Sequence, residues 1–441
     1  MIAATKTSGQ TTAALRPYPS KLFVEVTTRC NLSCFMCVKQ SEDCNITEGD
    51  LSDETFTSLE PALPSLEALI LNGVGEPLLH PRLEQFIKRA KQLMPTASWV
   101  GFQSNGLLLS EQRALSLLDA GLDKICLSLD AISPDVFRKV REGGEIKAID
   151  KAFTSIAKAK TALGRPGFQV GVEFVVMHSN YEELPQALDW AASRGASFAL
   201  VTHALPYDAE HAGETTYEVC SKEAIELFQH WQDKAQALGF DLSRYPKALW
   251  KFSKTAEEER IINLVDELKD DAEQKGISLD LKKLFALDLT RLQKIAEVFA
   301  KASEIAQKHD IDLRLPELML KEKRQCEFVE EGGTFVSWDG GVQPCYFLWH
   351  RYNCFASGWE QMVTTRTFGN LADLDILQIW NSDDYRSFRE SVITYEYPYC
   401  ASCSLAPCNY IQTEEFEQDC HVKNEPCGSC LWCMGIFQCL R

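Results

Sequence analysis

Long apolar segments are missing from this sequence. It has no run of about 20 apolar residues, and residues 1–20 lack the continuous apolar stretch of a secretory signal peptide. These absences argue against a membrane-spanning helix and predict a cytoplasmic protein.

Basic residues are also the minority: 45 Lys and Arg stand against 63 Asp and Glu, a formal net charge of −18. Because phosphates and anionic lipids bind basic surfaces, neither nucleic acid nor a membrane is expected as a partner.

Cysteine, in contrast, is plentiful. The chain has 17 cysteines in 441 residues. In a secreted protein they would suggest disulfides, but in a reducing compartment they indicate metal binding. A hydrophobic content of 45% and this length suit a barrel-type domain with a second module.

The most informative cysteines stand in the run Cys30-x3-Cys34-x2-Cys37, directly after the apolar residues 22–26. Three thiolates on one short loop suit an iron–sulfur cluster, and a four-iron cluster with three cysteine ligands keeps one iron open. The alternative is a structural zinc site that takes a fourth ligand from elsewhere.

A glycine-rich turn follows the next apolar segment. Gly73-Val74-Gly75-Glu76-Pro77 comes after residues 68–72, and such a turn lets the backbone approach a ligand closely. The carboxyl ends of parallel strands are where ligands bind in α/β folds. Together with the cysteine run, this turn resembles the radical S-adenosylmethionine (SAM) superfamily.

That resemblance implies a SAM site. The open iron would chelate SAM, with Gly73, Gly75, Glu76 and Pro77 at its amino group. Asn105 and Ser128, which lie where the third and fourth strands end, would line the pocket, and the planar fork of Arg141 suits the SAM carboxylate. For Asn105 the alternative is an ordinary Asn–Gly turn, and for Arg141 a solvated charge at a helix end.

Short apolar runs alternate with helical patterns in the first half of the chain, which predicts a parallel sheet. Six units are too few for a closed eight-stranded barrel. The resemblance implies an α/β fold, the open (β/α)6 partial TIM-like barrel. The predicted strands are residues 22–26, 68–72, 99–104, 124–129, 169–177 and 197–202, and helices are predicted at 82–93, 111–120 and 148–163.

The predicted organisation has four parts. Residues 1–20 form a flexible tail, 21–205 the barrel core, 206–316 a helical insertion and 317–441 a cysteine-rich α+β domain. The insertion shows almost no strand pattern. Its apolar residues repeat with helical spacing, as at Ile261, Val265 and Leu268.

Eleven cysteines lie in residues 317–441, and the first two, Cys326 and Cys345, flank Gly340. This arrangement resembles the SPASM extension, which usually binds two auxiliary four-iron clusters. Gln412 stands where one cysteine ligand of that pattern is expected, so Cys354, Cys420 or a later cysteine is the candidate replacement. The C-terminal tail, Cys427–Cys439, then holds either a third cluster or a zinc site. The auxiliary ligand candidates are Cys326, Cys345, Cys354, Cys400, Cys403, Cys408, Cys420, Cys427, Cys430, Cys433 and Cys439.

The resemblance implies an enzyme that reductively cleaves SAM to a 5′-deoxyadenosyl radical, which takes a hydrogen atom from a peptide, protein or cofactor. A looser resemblance is to metalloenzyme maturases of tungsten- or molybdenum-type oxidoreductases, reduced by a flavodoxin or ferredoxin. One alternative is an enzyme that forms thioether or carbon–carbon crosslinks in ribosomal peptides, although the residues before Lys21 are too few for the usual peptide-binding module. A non-enzymatic alternative, an iron–sulfur electron carrier, would need no SAM pocket.

Overall fold

A parallel sheet forms the centre of the molecule. The computed structural model describes residues 12–41, 44–321, 323–356, 359–397, 400 and 426–440. Nine strands pair in the order β11-β10-β1-β2-β3-β4-β5-β6-β8, all parallel except β10 with β11. The strands are β1 Lys21–Val24, β2 Ala68–Ile70, β3 Trp99–Ser104, β4 Lys124–Ser128, β5 Gln169–Val176, β6 Phe198–His203, β7 Glu218–Ser221, β8 Asp312–Arg314, β9 Met319–Leu320, β10 Gly333–Val336, β11 Val342–Gln343, β12 Tyr352–Cys354 and β13 Gln361–Val363.

Helices connect successive strands, so the predicted fold class is confirmed, and all six predicted strands are present as β1 to β6. The sheet is open, because β8 and β11 are its two edges. The helices are α1 Asp53–Thr57, α2 Leu83–Leu93, α3 Glu111–Ala120, α4 Pro134–Val140, α5 Ile146–Ala162, α6 Leu184–Ala192, α7 Lys222–Ala237, α8 Tyr245–Leu249, α9 Ala256–Lys275, α10 Leu281–Ala286, α11 Leu289–Lys308, α12 Glu327–Glu330, α13 Ile376–Trp380 and α14 Asp383–Thr394.

Three strands from later in the chain, β8, β10 and β11, extend the sheet. β10 pairs with β1, with Phe23 beside Phe335, and β8 pairs with β6 at the other edge. The division of the chain near residues 205 and 316 stays a prediction, and the sheet contains strands from each of the three larger parts.

The residues between β6 and β8 are mainly helical. Ile261, Val265 and Leu268 on α9 are fully buried, as their spacing predicted, in a second core shared with α7. The last long helix of this part, α11, packs on α6 of the barrel. The strand β7 was missed, because its four residues pair only with the two-residue strand β9.

Residues 12–20 correct the prediction of a flexible tail. Ala14 is fully buried, and its carbonyl accepts a hydrogen bond of 2.7 Å from Nε of Arg389. The indole nitrogen of Trp380 donates to the carbonyl of Arg16 at 2.8 Å. Partners more than 360 residues away in sequence therefore hold this segment, which its own composition does not reveal.

The described end of the chain returns to the barrel. Leu440 is buried in one cluster with Phe23, Ile70 and Leu200, which lie on three strands of the sheet. The tail thus packs directly against the sheet. Among the described residues, no helix has the length and apolar character needed to cross a membrane.

Candidate functional site

A cavity of about 490 Å³ lies at the carboxyl ends of strands β1 to β5. The cysteine loop forms one wall, and the turns after β2, β3 and β4 form the others. Every predicted SAM-site residue lines it: Cys30, Cys34, Cys37, Gly73, Gly75, Glu76, Pro77, Asn105, Ser128 and Arg141. The fold therefore brings together side chains that are up to 111 positions apart in the chain.

The two glycines of the turn are required by contacts with the chain itself. A Cβ atom on Gly75 would lie 2.3 Å from the carbonyl oxygen of Thr27 and 2.6 Å from that of Arg29. A Cβ on Gly73 would lie 2.2 Å from Cγ of Glu25. The amide of Glu76 also donates to the Arg29 carbonyl at 2.8 Å. The glycines therefore hold the turn directly against the start of the cysteine loop.

Glu76 connects the turn to the end of β3. Its carboxylate accepts hydrogen bonds from the Ser104 hydroxyl at 2.8 Å, the Asn105 amide at 2.7 Å and the Leu78 amide at 3.1 Å. Burial raises the pKa of Glu76, and these donors lower it. The Asn105 side chain continues the connection to the Asn31 side chain of the cysteine loop at 2.8 Å. Glu76 thus fixes the shape of the cavity.

Arg141 is buried and is oriented by an aspartate. Its Nε donates to Oδ2 of Asp130, a fully buried residue whose other carboxylate oxygen accepts the Val175 amide at 2.7 Å. The Nη1 atom of Arg141 lies 3.7 Å from Sγ of Cys34. The side chain is only 8% exposed, so the alternative of a solvated helix-end charge is wrong. This guanidinium is placed beside the cysteine loop.

The three loop thiols lie together on the wall of the cavity. Among the described residues, no three Cys, His, Asp or Glu side chains converge on one metal position. In a four-iron cluster each thiolate binds a different iron, so such convergence is not required. Burial raises the pKa of Cys34 and raises that of Cys37 to about 11. Metal binding must therefore displace protons from these thiols.

Glu25 and His350 were missed as contributors to the site. Glu25 follows β1 and is fully buried, and its Oε1 accepts the Val74 amide at 3.0 Å. The same oxygen is 3.1 Å from Nε2 of His350. A glutamate within an apolar strand segment is the one sequence pattern that could have indicated this contact. The pair links the glycine turn to the C-terminal part.

A second cavity of about 220 Å³ adjoins the first and shares Asn72, Gln103 and Glu173 with it. The rest of its wall comes from the end of β6 and the residues after it, such as His203 and Tyr207, and from the C-terminal part, including Tyr346 and Trp432. Burial, with the nearby charge of Asp130, raises the pKa of Glu173 to about 7.

Several auxiliary candidates cluster behind this cavity. Burial raises the pKa of Cys326, and the neighbouring Cys345 and Cys430 raise it further. The Cys433 thiol donates to the Cys430 carbonyl at 3.1 Å. Burial raises the pKa of Cys439 to about 12, and Cys345 and Cys430 contribute to that shift. These five cysteines are therefore near one another.

Three further auxiliary candidates lie among the described residues. Cys354 is buried beside Tyr207 and Tyr352. Cys427 is buried near Tyr397, and Cys400 is partly exposed. Cys403, Cys408 and Cys420 lie outside the described residues.

Comparisons with known proteins agree with this geometry. Residues 24–191 match the model of the radical SAM superfamily, and residues 326–404 match SPASM, an iron–sulfur cluster-binding domain. Together the two matches cover more than half of the chain.

The chain is also similar to individual proteins. It is 26% identical, over 95% of its length and 96% of the relative's, to the tungsten-containing aldehyde ferredoxin oxidoreductase cofactor-modifying protein of Pyrococcus furiosus. It is 31% identical to a probable GTP 3′,8-cyclase of Methanococcus maripaludis, over 40% of this chain and 57% of that one. The fold resembles SuiB of Streptococcus suis bound to its precursor peptide SuiA, with a TM-score of 0.51 and 12% identity over 90% of this chain and 74% of that one.

One assignment follows from the cysteine loop, from both family matches and from the cavity of about 490 Å³, called the SAM-type cavity below. The chain is an enzyme of the radical SAM superfamily with a C-terminal SPASM iron–sulfur cluster-binding domain.

Proposed function

We propose that this enzyme is a maturase that modifies the cofactor of a tungsten- or molybdenum-type oxidoreductase. The observation that carries the proposal is the similarity to the Pyrococcus furiosus cofactor-modifying protein, which extends over nearly the whole of both chains. That similarity includes the helical part, which the superfamily matches leave out. The peptide-crosslinking alternative rests on likeness of fold at 12% identity, which says nothing of the substrate.

In this proposal Cys30, Cys34 and Cys37 hold a [4Fe–4S] cluster whose open iron binds SAM. When bound and reduced, the cluster and SAM supply a 5′-deoxyadenosyl radical that abstracts a hydrogen atom from the substrate. The chain's own contribution is placement: Glu76 fixes the cavity wall, and Asp130 aims Arg141 into the cavity. An electron carrier would have no use for a cavity of this size beside its cluster.

The C-terminal part would hold two auxiliary [4Fe–4S] clusters, or three if the tail binds its own. Cys326, Cys345 and Cys430 support one of them, because they lie close together and the last two are buried. Thiolates bind iron and zinc alike, so the metal must be measured. A flavodoxin or ferredoxin would supply the electron for the SAM cluster.

SAM cleavage tests the proposed site. We expect anaerobically reconstituted protein with dithionite to produce 5′-deoxyadenosine, measured by chromatography. Changing Cys30, Cys34 and Cys37 together to Ala should abolish the product while C-terminal iron stays bound. Cys44→Ala is the matched control, because Cys44 is near the loop in sequence but does not line the cavity. Undiminished cleavage in the triple variant would contradict the site.

Maturation tests the biological role. In a strain without this gene, the tungsten or molybdenum oxidoreductase of the same organism should accumulate as an inactive protein. The wild-type gene should restore its activity, and the triple cysteine variant should not. Full oxidoreductase activity in the deletion strain would reject the maturase proposal and leave the radical SAM assignment intact.

A further inference from the structure

The cavity of about 220 Å³ beside the SAM-type cavity has the size of a ring-binding site. A dry protein cavity of about 150 Å³ is enough to bind benzene. The space here therefore suits one or two fused rings. It adjoins the first cavity through Asn72, Gln103 and Glu173, so a molecule in it would be next to the proposed radical source.

Aromatic side chains form much of its wall. Tyr346 and Trp349 meet edge to face with ring centres 5.0 Å apart, and Trp432 and Phe437 of the tail lie 4.5 Å apart. Aromatic faces bind other flat rings by stacking or edge contacts. The buried hydroxyl of Tyr346 interacts with the Asn72 side chain, which also borders the SAM-type cavity.

Polar groups occupy the side that faces the SAM-type cavity. The Glu173 carboxylate lies beside the Gln103 amide, and Asn72 is hydrogen-bonded to Gln103. A carboxylate accepts two parallel N–H donors well. Among the described residues, no lysine or arginine lines this cavity. The wall therefore does not suit a phosphate group.

We propose, on the basis of the maturase function, that this cavity binds the reacting part of the substrate as a planar nitrogen heterocycle. Its flat ring would contact the aromatic side chains of Trp432 and Phe437, and adjacent N–H groups on its edge would donate to Glu173. The raised pKa of Glu173 is consistent with this role. With a pKa of about 7 the carboxyl group is only partly charged at neutral pH, so N–H donors that favour its charged form bind it most favourably.

The tail makes the cavity small. Its Gln438 amide donates to the Thr202 hydroxyl on β6 at 3.1 Å, and Leu440 is buried against the sheet. Trp432, Phe437, Gln438 and Cys439 all line the cavity. This segment therefore supplies a large part of the wall that a bound ring would contact.

A matched pair of fluorescent rings tests the inference on the reconstituted full chain with SAM. We would titrate 2-amino-4-oxopteridine, whose edge offers adjacent N–H donors, and 4-oxopteridine, which lacks the amino group, and follow fluorescence quenching. The expected result is that the amino compound binds about tenfold more tightly or better, because one charge-assisted hydrogen bond distinguishes them. Equal affinity for the two, or binding of neither, would overturn the proposal.

Two variants test whether Glu173 causes the preference for the amino compound. Glu173→Gln should remove the preference for the amino compound, whereas Gln169→Ala, at the exposed start of the same strand, should keep it. A preference retained in Glu173→Gln would reject Glu173 as the acceptor. SAM cleavage is measured on each preparation. If the wild type cleaves SAM but shows no preference between the two rings, this inference alone is rejected. If the wild type does not cleave SAM, the proposed function is rejected.

Discussion

Replacing Arg141 by Ala tests whether this guanidinium holds the carboxylate of SAM. The Nε of Arg141 is engaged by Asp130 and Nη1 faces Cys34, so the remaining N–H groups are those available to a ligand. Leaving a charged partner without its hydrogen bonds costs about 1–3 kcal/mol. We therefore expect SAM to bind about 5- to 150-fold more weakly, as measured by equilibrium dialysis of the cluster-loaded protein.

The same change affects stability, which has to be measured separately. Asp130 is fully buried, and without Arg141 its carboxylate keeps the hydrogen bond of 2.7 Å from the Val175 amide on the neighbouring strand. An uncompensated buried charge costs about 3–5 kcal/mol. The double variant Asp130→Asn, Arg141→Met removes both charges, so it should unfold at a higher temperature than Arg141→Ala in an anaerobic circular-dichroism melt.

Arg138→Ala is the matched control, because Arg138 lies on α4, which ends directly before Arg141, but is exposed and paired with Asp135. It should change neither SAM affinity nor the melting temperature measurably. Wild-type SAM affinity in Arg141→Ala, with full iron content, would refute a ligand role. Arg141 would then serve only to orient Asp130 and Cys34.

Three further outcomes are expected. Gly75→Ala should lose SAM cleavage, because its Cβ would lie 2.3 Å from a backbone oxygen, whereas Gly167→Ala has no atom within 4 Å and should retain it. For Glu173, the folded-state pKa of about 7 lies above the ordinary 4.5, so its stabilising effect is complete below pH 4.5 and is lost as the pH rises through 7. Comparing melts of the wild type and Glu173→Gln at pH 5 and pH 8 checks this, and a constant difference would contradict it. Cys430→Ala should lower the iron content by about four from an expected total of about 12 to 16 per chain, whereas Cys220→Ala should not; unchanged iron, or stoichiometric zinc in the C-terminal part, would contradict the auxiliary-cluster assignment.

Local patterns were sufficient for the barrel. The strands β1 to β6 are continuous apolar runs bounded by turns, and α3 covers the predicted residues 111–120. These features depend on neighbours in sequence, which a single chain displays directly. The candidate SAM residues came instead from the resemblance to the radical SAM superfamily, and the structure places all of them on the wall of one cavity.

Contacts between distant segments were not predictable. β10 joins β1 from more than 300 residues away, and its four buried residues look like any short strand. The Glu25–His350 contact needs the three-dimensional fold to be seen. The glycines show a related difference: the sequence suggested room for a ligand, whereas the structure shows that Gly75 is packed against the backbone of the cysteine loop.

The tail has two roles that depend on each other. It carries Cys427, Cys430, Cys433 and Cys439, and it also lines the second cavity. Cys439 borders both that cavity and a small void of about 30 Å³ shared with Cys326 and Cys433. Because metal binding to such thiols contributes directly to folding, loading the tail would fix Trp432 and Phe437 in position. By reciprocity, a ligand held against these two rings would favour the metal-loaded tail. If the proposed clusters and ring site are both present, the cysteine-rich end of the chain would link cluster assembly to the shape of the second cavity.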